Sequence, residues 1–111
     1  MAAMASVPEP TKTTLTQSLQ AHAHQHWPQL ADLQVRFRGQ FAYLDAELTD
    51  GGVLPLCRLR YLGSTEVWGF GLYLASSDNY EDQILPTGSF TGPATEALDC
   101  ACSLHLAGPT F

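Results

Sequence analysis

Charge is scarce in this chain, and positive charge scarcer still. Only 14% of its 111 residues are charged, so much of the surface must be neutral. Five basic residues stand against eleven acidic ones, and the formal charge of −6 argues against wholesale binding to phosphate backbones. No apolar run approaches the roughly 20 residues of a membrane-spanning helix. The first ten residues lack the basic residues and long apolar stretch of a signal peptide. Three cysteines, an odd number, do not form a disulfide framework, so a reducing cytoplasm is the expected location. Internal repeats and long low-complexity segments are missing as well. What is present is 45% hydrophobic residues, evenly spread, enough for one domain with a modest core.

Residues 1–10, small and proline-bearing, read as a disordered tail, leaving 11–111 as a single α+β domain. Thr11 to Trp27 reads as a helix, capped by threonines and stopped by Pro28. Leu15, Leu19, His22, Ala23 and His26 share one of its sides. Leu33 to Leu48 is extended and rich in aromatic and β-branched residues, with Gly39 at its middle. Thr49-Asp50-Gly51-Gly52 carries a tight-turn signal. Val53 to Leu62 and Val67 to Ala75 complete a three-stranded antiparallel meander. Ser76 to Thr91 is a turn-rich loop in which Tyr80 to Leu85 can add a short strand. A last helix runs from Gly92-Pro93 to Gly108-Pro109 and packs on one sheet face.

Pairing the strands on paper gives a consistent surface. With Leu48 opposite Val53, Ala46 faces Pro55, Leu44 faces Cys57 and Ala42 faces Leu59. With Leu62 opposite Val67, Tyr61 faces Trp68, Leu59 faces Phe70 and Cys57 faces Leu72. Cross-strand partners share a face, and a slip of one residue would scatter them. The last helix offers Ala94, Ala97, Leu98, Ala101 and Leu104 as cover.

The other face holds the candidate site. Arg58 lies between Tyr43 and Gly71, and Arg60 between Phe41 and Gly69, with Asp45 one pleat along. A bulge near Gly39 would bring Arg36 and Arg38 onto the same face and send Val35 and Phe37 to the core. Arginine stacks on aromatic rings and lies flat where glycine leaves room. A solvated sheet face would look similar, its arginines covering aromatics and pairing with Asp45 and Glu47. The N-terminal helix covering this face is a further alternative.

Metal and catalytic readings are thinner. Cys100 and Cys102 stand about 200° apart on a helix and cannot chelate one ion together. Cys102 with His105, and His22 with His26, share helix sides, but the spacing follows no recognised zinc pattern. Ser64, Ser76, Ser77 and Ser89 have no histidine at a telling distance, and Glu81-Asp82 reads as a solvated loop. We therefore expect no metal, no cofactor and no enzyme activity.

Pro86-Thr87-Gly88-Ser89-Phe90-Thr91-Gly92, followed by Glu96-Ala97-Leu98, Ala101, Leu104 and Leu106, resembles the end of a HicB-type antitoxin domain. That resemblance implies a toxin-like protein partner. The chain departs from it by a long N-terminal helix and by ending at its last helix. As a whole the chain resembles short uncharacterised bacterial proteins, which implies no activity. Helix–three strands–helix is also the order of double-stranded-RNA-binding domains, although their lysine-rich helix start has no counterpart around Thr95-Glu96. The expectation is a small soluble binding or adaptor protein whose arginine-aromatic face meets a protein partner. The alternative is a nucleic-acid module stacking unpaired bases there. The oligomeric state is not legible.

Overall fold

The computed structural model describes residues 6–74 and 77–105. It is an α+β fold: α1 (Glu9–His26), β1 (Leu30–Arg38), β2 (Phe41–Leu48), β3 (Val53–Tyr61), β4 (Trp68–Leu74), β5 (Asn79–Asp82), β6 (Thr91–Gly92) and α2 (Ala94–His105). The first five strands lie in sequence order in one antiparallel sheet, and β6 pairs beside β4. The meander thus has five strands where three were expected, and the RNA-binding-domain order does not hold.

One of the two added strands is β5, and the other arises at Gly39. Leu33 to Leu48 is not one bulged strand but a hairpin, with Arg38 opposite Phe41. Gly39 takes φ +60° at the first of the two loop positions, where a tight hairpin of this hand favours glycine. The second hairpin also departs from paper. Gly51 N–H donates to Leu48 O, Leu48 N–H donates to Gly52 O, and Gly51 has φ +92°. This glycine-bulged turn sets Glu47, not Leu48, opposite Val53. Pro55, which has no N–H to give the ladder, pairs with Asp45, and the register shifts back beside it, leaving Leu56 without an opposite residue. From there Leu44 faces Cys57 and Ala42 faces Leu59, and across β4 Cys57, Leu59 and Tyr61 face Leu72, Phe70 and Trp68, all as expected.

Both helices pack on the face made by these residues: α1 lies against β1 and α2, and α2 against β3 and β4. Leu15, Leu19 and Ala23 of α1 meet Ala97, Leu98 and Ala101 of α2 in one core with Leu33, Leu44, Leu59, Trp68 and Phe70. Leu104 is 57% exposed rather than part of the cover, whereas Cys102, two residues earlier and about 200° around α2, is buried. Between the helices, Asp99 Oδ1 lies 2.8 Å from His22 Nε2 and accepts from Trp27 Nε1 at 2.8 Å. The expected tail needs correction. Val7 is buried, its N–H donates to Gly39 O, and α1 begins at Glu9 behind Pro8. Pro10 fits the first turn because no intrahelical donor is needed there. No threonine caps α1; Thr13 instead donates back to Glu9 O. Residues 1–5 of that tail, Ala75 and Ser76, and the expected helix end through Leu106 and Gly108-Pro109 lie outside the described residues.

The sheet's outer strands carry the same local bond. On β1, Asp32 Oδ1 accepts from the N–H of Leu33 at 2.8 Å, and Gln20 of α1 donates to Leu33 O at 3.0 Å. On β5, Asn79 Oδ1 accepts from the N–H of Tyr80 at 2.8 Å. Among the described residues no helix is long and apolar enough to cross a membrane.

Candidate functional site

With α1 and α2 on one side, the opposite face of the sheet carries no helix among the described residues. Two rows of residues cross it. Arg36, Tyr43, Arg58, Gly71 and Asp82 stand opposite one another from β1 to β5. Arg38, Phe41, Arg60, Gly69 and Thr91 form the second row, ending on β6. All eight expected site residues share this face. The Gly39 hairpin, rather than a bulge, puts Arg36 and Arg38 there.

Three of the four arginines are held, each differently. Arg36 Nε donates to Asp45 Oδ2 at 2.7 Å, and its guanidinium lies 5.4 Å from the Tyr43 ring centre. That bond raises the already high pKa of Arg36. Asp45 is only 5% exposed, and its other oxygen has no hydrogen-bond partner among the described residues. Arg58 lies flat on the bare backbone of β4, where a Cβ on Gly71 would stand 3.2 Å from its Cγ and 3.3 Å from its Nε. Its guanidinium sits 4.7 Å from the Phe41 ring centre and 5.7 Å from that of Tyr80. Arg60 starts against Gly69, with 3.2 Å from its Cβ to the place of a Gly69 Cβ, and reaches 5.4 Å from the Phe41 centre. Among the described residues neither Arg58 nor Arg60 has a carboxylate at ion-pair distance.

A groove of about 280 Å³ opens over Gly69 and Gly71. Arg58, Arg60 and Phe41 line it along with Asp82 and Thr91, and Leu62 and Phe90 add apolar surface. Leu62 and Phe90, 48% and 54% exposed, are unusually open for their size. Sequence reasoning did not include Leu62, Tyr80, Asp82, Phe90 or Thr91 in the site. Tyr80 stacks edge-on to Tyr43 and Tyr73, with ring centres 5.3 Å away in each case. Burial first, and then the Asp45 carboxylate, push the Tyr80 phenol above its ordinary pKa, with Arg36 opposing. The signal for these residues was the short strand allowed at Tyr80 to Leu85 and the proline-glycine turn after it. Leu85 N–H donates to Ser89 O across that turn, so the chain returns to β4 at Thr91.

The helical cysteine and histidine pairs do not converge. His22 turns to Asp99, and among the described residues no three His, Cys, Asp or Glu side chains are grouped to hold a metal ion. The thiols of Cys57 and Cys102 are buried. Burial, then the Asp99 carboxylate, pushes Cys102 up to about 12, the direction away from a reactive thiolate. No protein-family profile, no curated protein and no solved structure matches the chain.

Proposed function

We propose that this chain is a small binding or adaptor protein, not an enzyme, and that its arginine-aromatic sheet face contacts a protein partner. The observation that carries the reading is the state of Arg58 and Arg60. Arg58 lies along the Gly71 backbone and Arg60 starts against Gly69, both beside Phe41, and neither has a carboxylate at ion-pair distance among the described residues. Arginine held flat keeps its fork of donors oriented, which favours a carboxylate ligand over diffuse attraction. The HicB-like stretch from Pro86 to Leu106 puts a toxin-like protein among the partners to try.

The test is charge reversal, Arg58→Glu with Arg60→Glu, on protein recovered with its partner from the native host. Folding, followed by circular dichroism, should stay close to wild type, because both side chains lie on the helix-free face. Partner recovery should disappear, and lysine at both positions should weaken it too. Recovery that survives the reversal sinks the reading. The partly exposed rings favour a second one, base stacking on Phe41 and Tyr43. It predicts oligonucleotide binding that falls steeply with salt.

A further inference from the structure

Resting on that reading, we infer that the groove over Gly69 and Gly71 takes a short acidic segment of the partner, one whose carboxylate stands beside a bulky apolar residue. Three features of the groove define such a ligand. Its cationic wall is Arg58 and Arg60, neither of which has a carboxylate at ion-pair distance among the described residues. Its apolar surface is Phe41, Leu62 and Phe90, two of them about half exposed. Its volume, about 280 Å³, suits one large side chain with its neighbouring acid and not a run of nucleotides.

Asp82 makes the choice between polymers. Its Oδ1 lies 3.6 Å from the place of a Gly71 Cβ, and Arg58 Nε lies 3.3 Å from the same point. The groove therefore offers a donor and an acceptor on either side of one glycine. A peptide answers both, with carboxylate or carbonyl oxygens for the arginine and a backbone N–H for Asp82. A DNA phosphodiester backbone has no donor for Asp82, and its charge at every nucleotide is opposed by a chain of net charge −6 more than a single carboxylate is.

The experiment is selection of random 12-residue peptides displayed on phage against the immobilised full chain, followed by fluorescence anisotropy of the most enriched peptide. Enriched sequences should carry Asp or Glu within two positions of Phe, Trp, Tyr or Leu. Affinity of the winning peptide should fall at least tenfold in Arg60→Glu and severalfold in Arg60→Lys. Phe90→Ser, a change at an exposed side chain, should also lower it severalfold and flatten the preference for aromatic residues. Enrichment of peptides without acids, no enrichment, or affinity unchanged in Arg60→Glu would each overturn the inference. If the native partner is still lost on charge reversal while the selection fails, the protein-binding reading stands and only the ligand chemistry is wrong. A labelled fifteen-residue oligothymidylate that binds tighter than any selected peptide, with a steep salt slope, overturns both.

Discussion

Phe70 and Gly71 are adjacent in β4 and belong to opposite faces, which makes them a direct test of the register. Phe70 is 2% exposed, opposite Leu59 and in the core beneath α2. Phe70→Ala removes a ring from a closed site and leaves a cavity, at a cost of about 3–5 kcal/mol. A domain this size has about 5–15 kcal/mol in total, so the loss is a large share. With a urea slope of about 1–3 kcal/mol/M, the unfolding midpoint should drop by more than about 1 M. Gly71→Ala is different. Alanine loses less chain entropy than glycine on folding, a gain of about 0.4–1 kcal/mol. Against that stands the contact at 3.2–3.3 Å, but its partner is a flexible arginine stem that can swing away. The net change should stay within about 1 kcal/mol, while Arg58 is lifted from its seat and partner binding weakens. Urea titrations followed by tryptophan fluorescence report the first quantity, since Trp68 is buried in the core. A midpoint lowered more by Gly71→Ala than by Phe70→Ala would show that the two faces have been exchanged.

Arg36→Ala should cost about 1–2 kcal/mol in urea unfolding, discounted because the guanidinium is half exposed, and more than Asp45→Asn. The reason is that alanine strands a buried carboxylate, whereas asparagine keeps the acceptor without the charge. Raised thiol pKa values at Cys57 and Cys102 mean that the folded state holds protons the unfolded chain releases. Stability from these thiols is therefore fully present below about pH 9 and is lost as pH rises toward 12, so urea midpoints should fall between pH 9 and pH 11, less so in Cys102→Ala. Metal analysis of untagged protein should find well under one equivalent of zinc, and a chelator should leave the melting temperature unchanged. A stoichiometric ion would revive the pairs Cys102/His105 and His22/His26.

That the eight candidate residues share one sheet face was legible even though the strand count was not, and parity explains why. Val35 and Phe37 are odd-numbered core positions, whereas Ala42 and Leu44 are even, so the alternation must change phase near Gly39. A bulge and a two-residue hairpin both change it, and both leave Arg36 and Arg38 beside Phe41 and Tyr43. Length could have decided between them, because sixteen residues exceed the usual ~3–10 of a strand. The register at Val53 failed for a related reason. Gly51 inserts one residue and Leu56 removes the offset, so only Asp45 to Glu47 meet unexpected partners. Leu104 was misplaced because spacing gives the helix stripe and not its depth. Tyr80, Asp82 and Phe90 stayed hidden because β5 and β6 are too short to show a period, and β4 alone fixes where they land.

The bonds at Leu33 and Tyr80 bear on how this molecule meets others. An outer strand ordinarily presents a ladder of open amides and carbonyls that any passing chain can zip onto. Here a short side chain folds back to occupy one rung on each border, Asp32 on β1 and Asn79 on β5, and Gln20 fills a second rung on β1. Beyond the β5 rung, Glu81 and Asp82 place one negative charge on each face of an exposed strand. Lateral growth into a ribbon, with copies of itself or with unfolded polypeptides, is thereby discouraged at both borders.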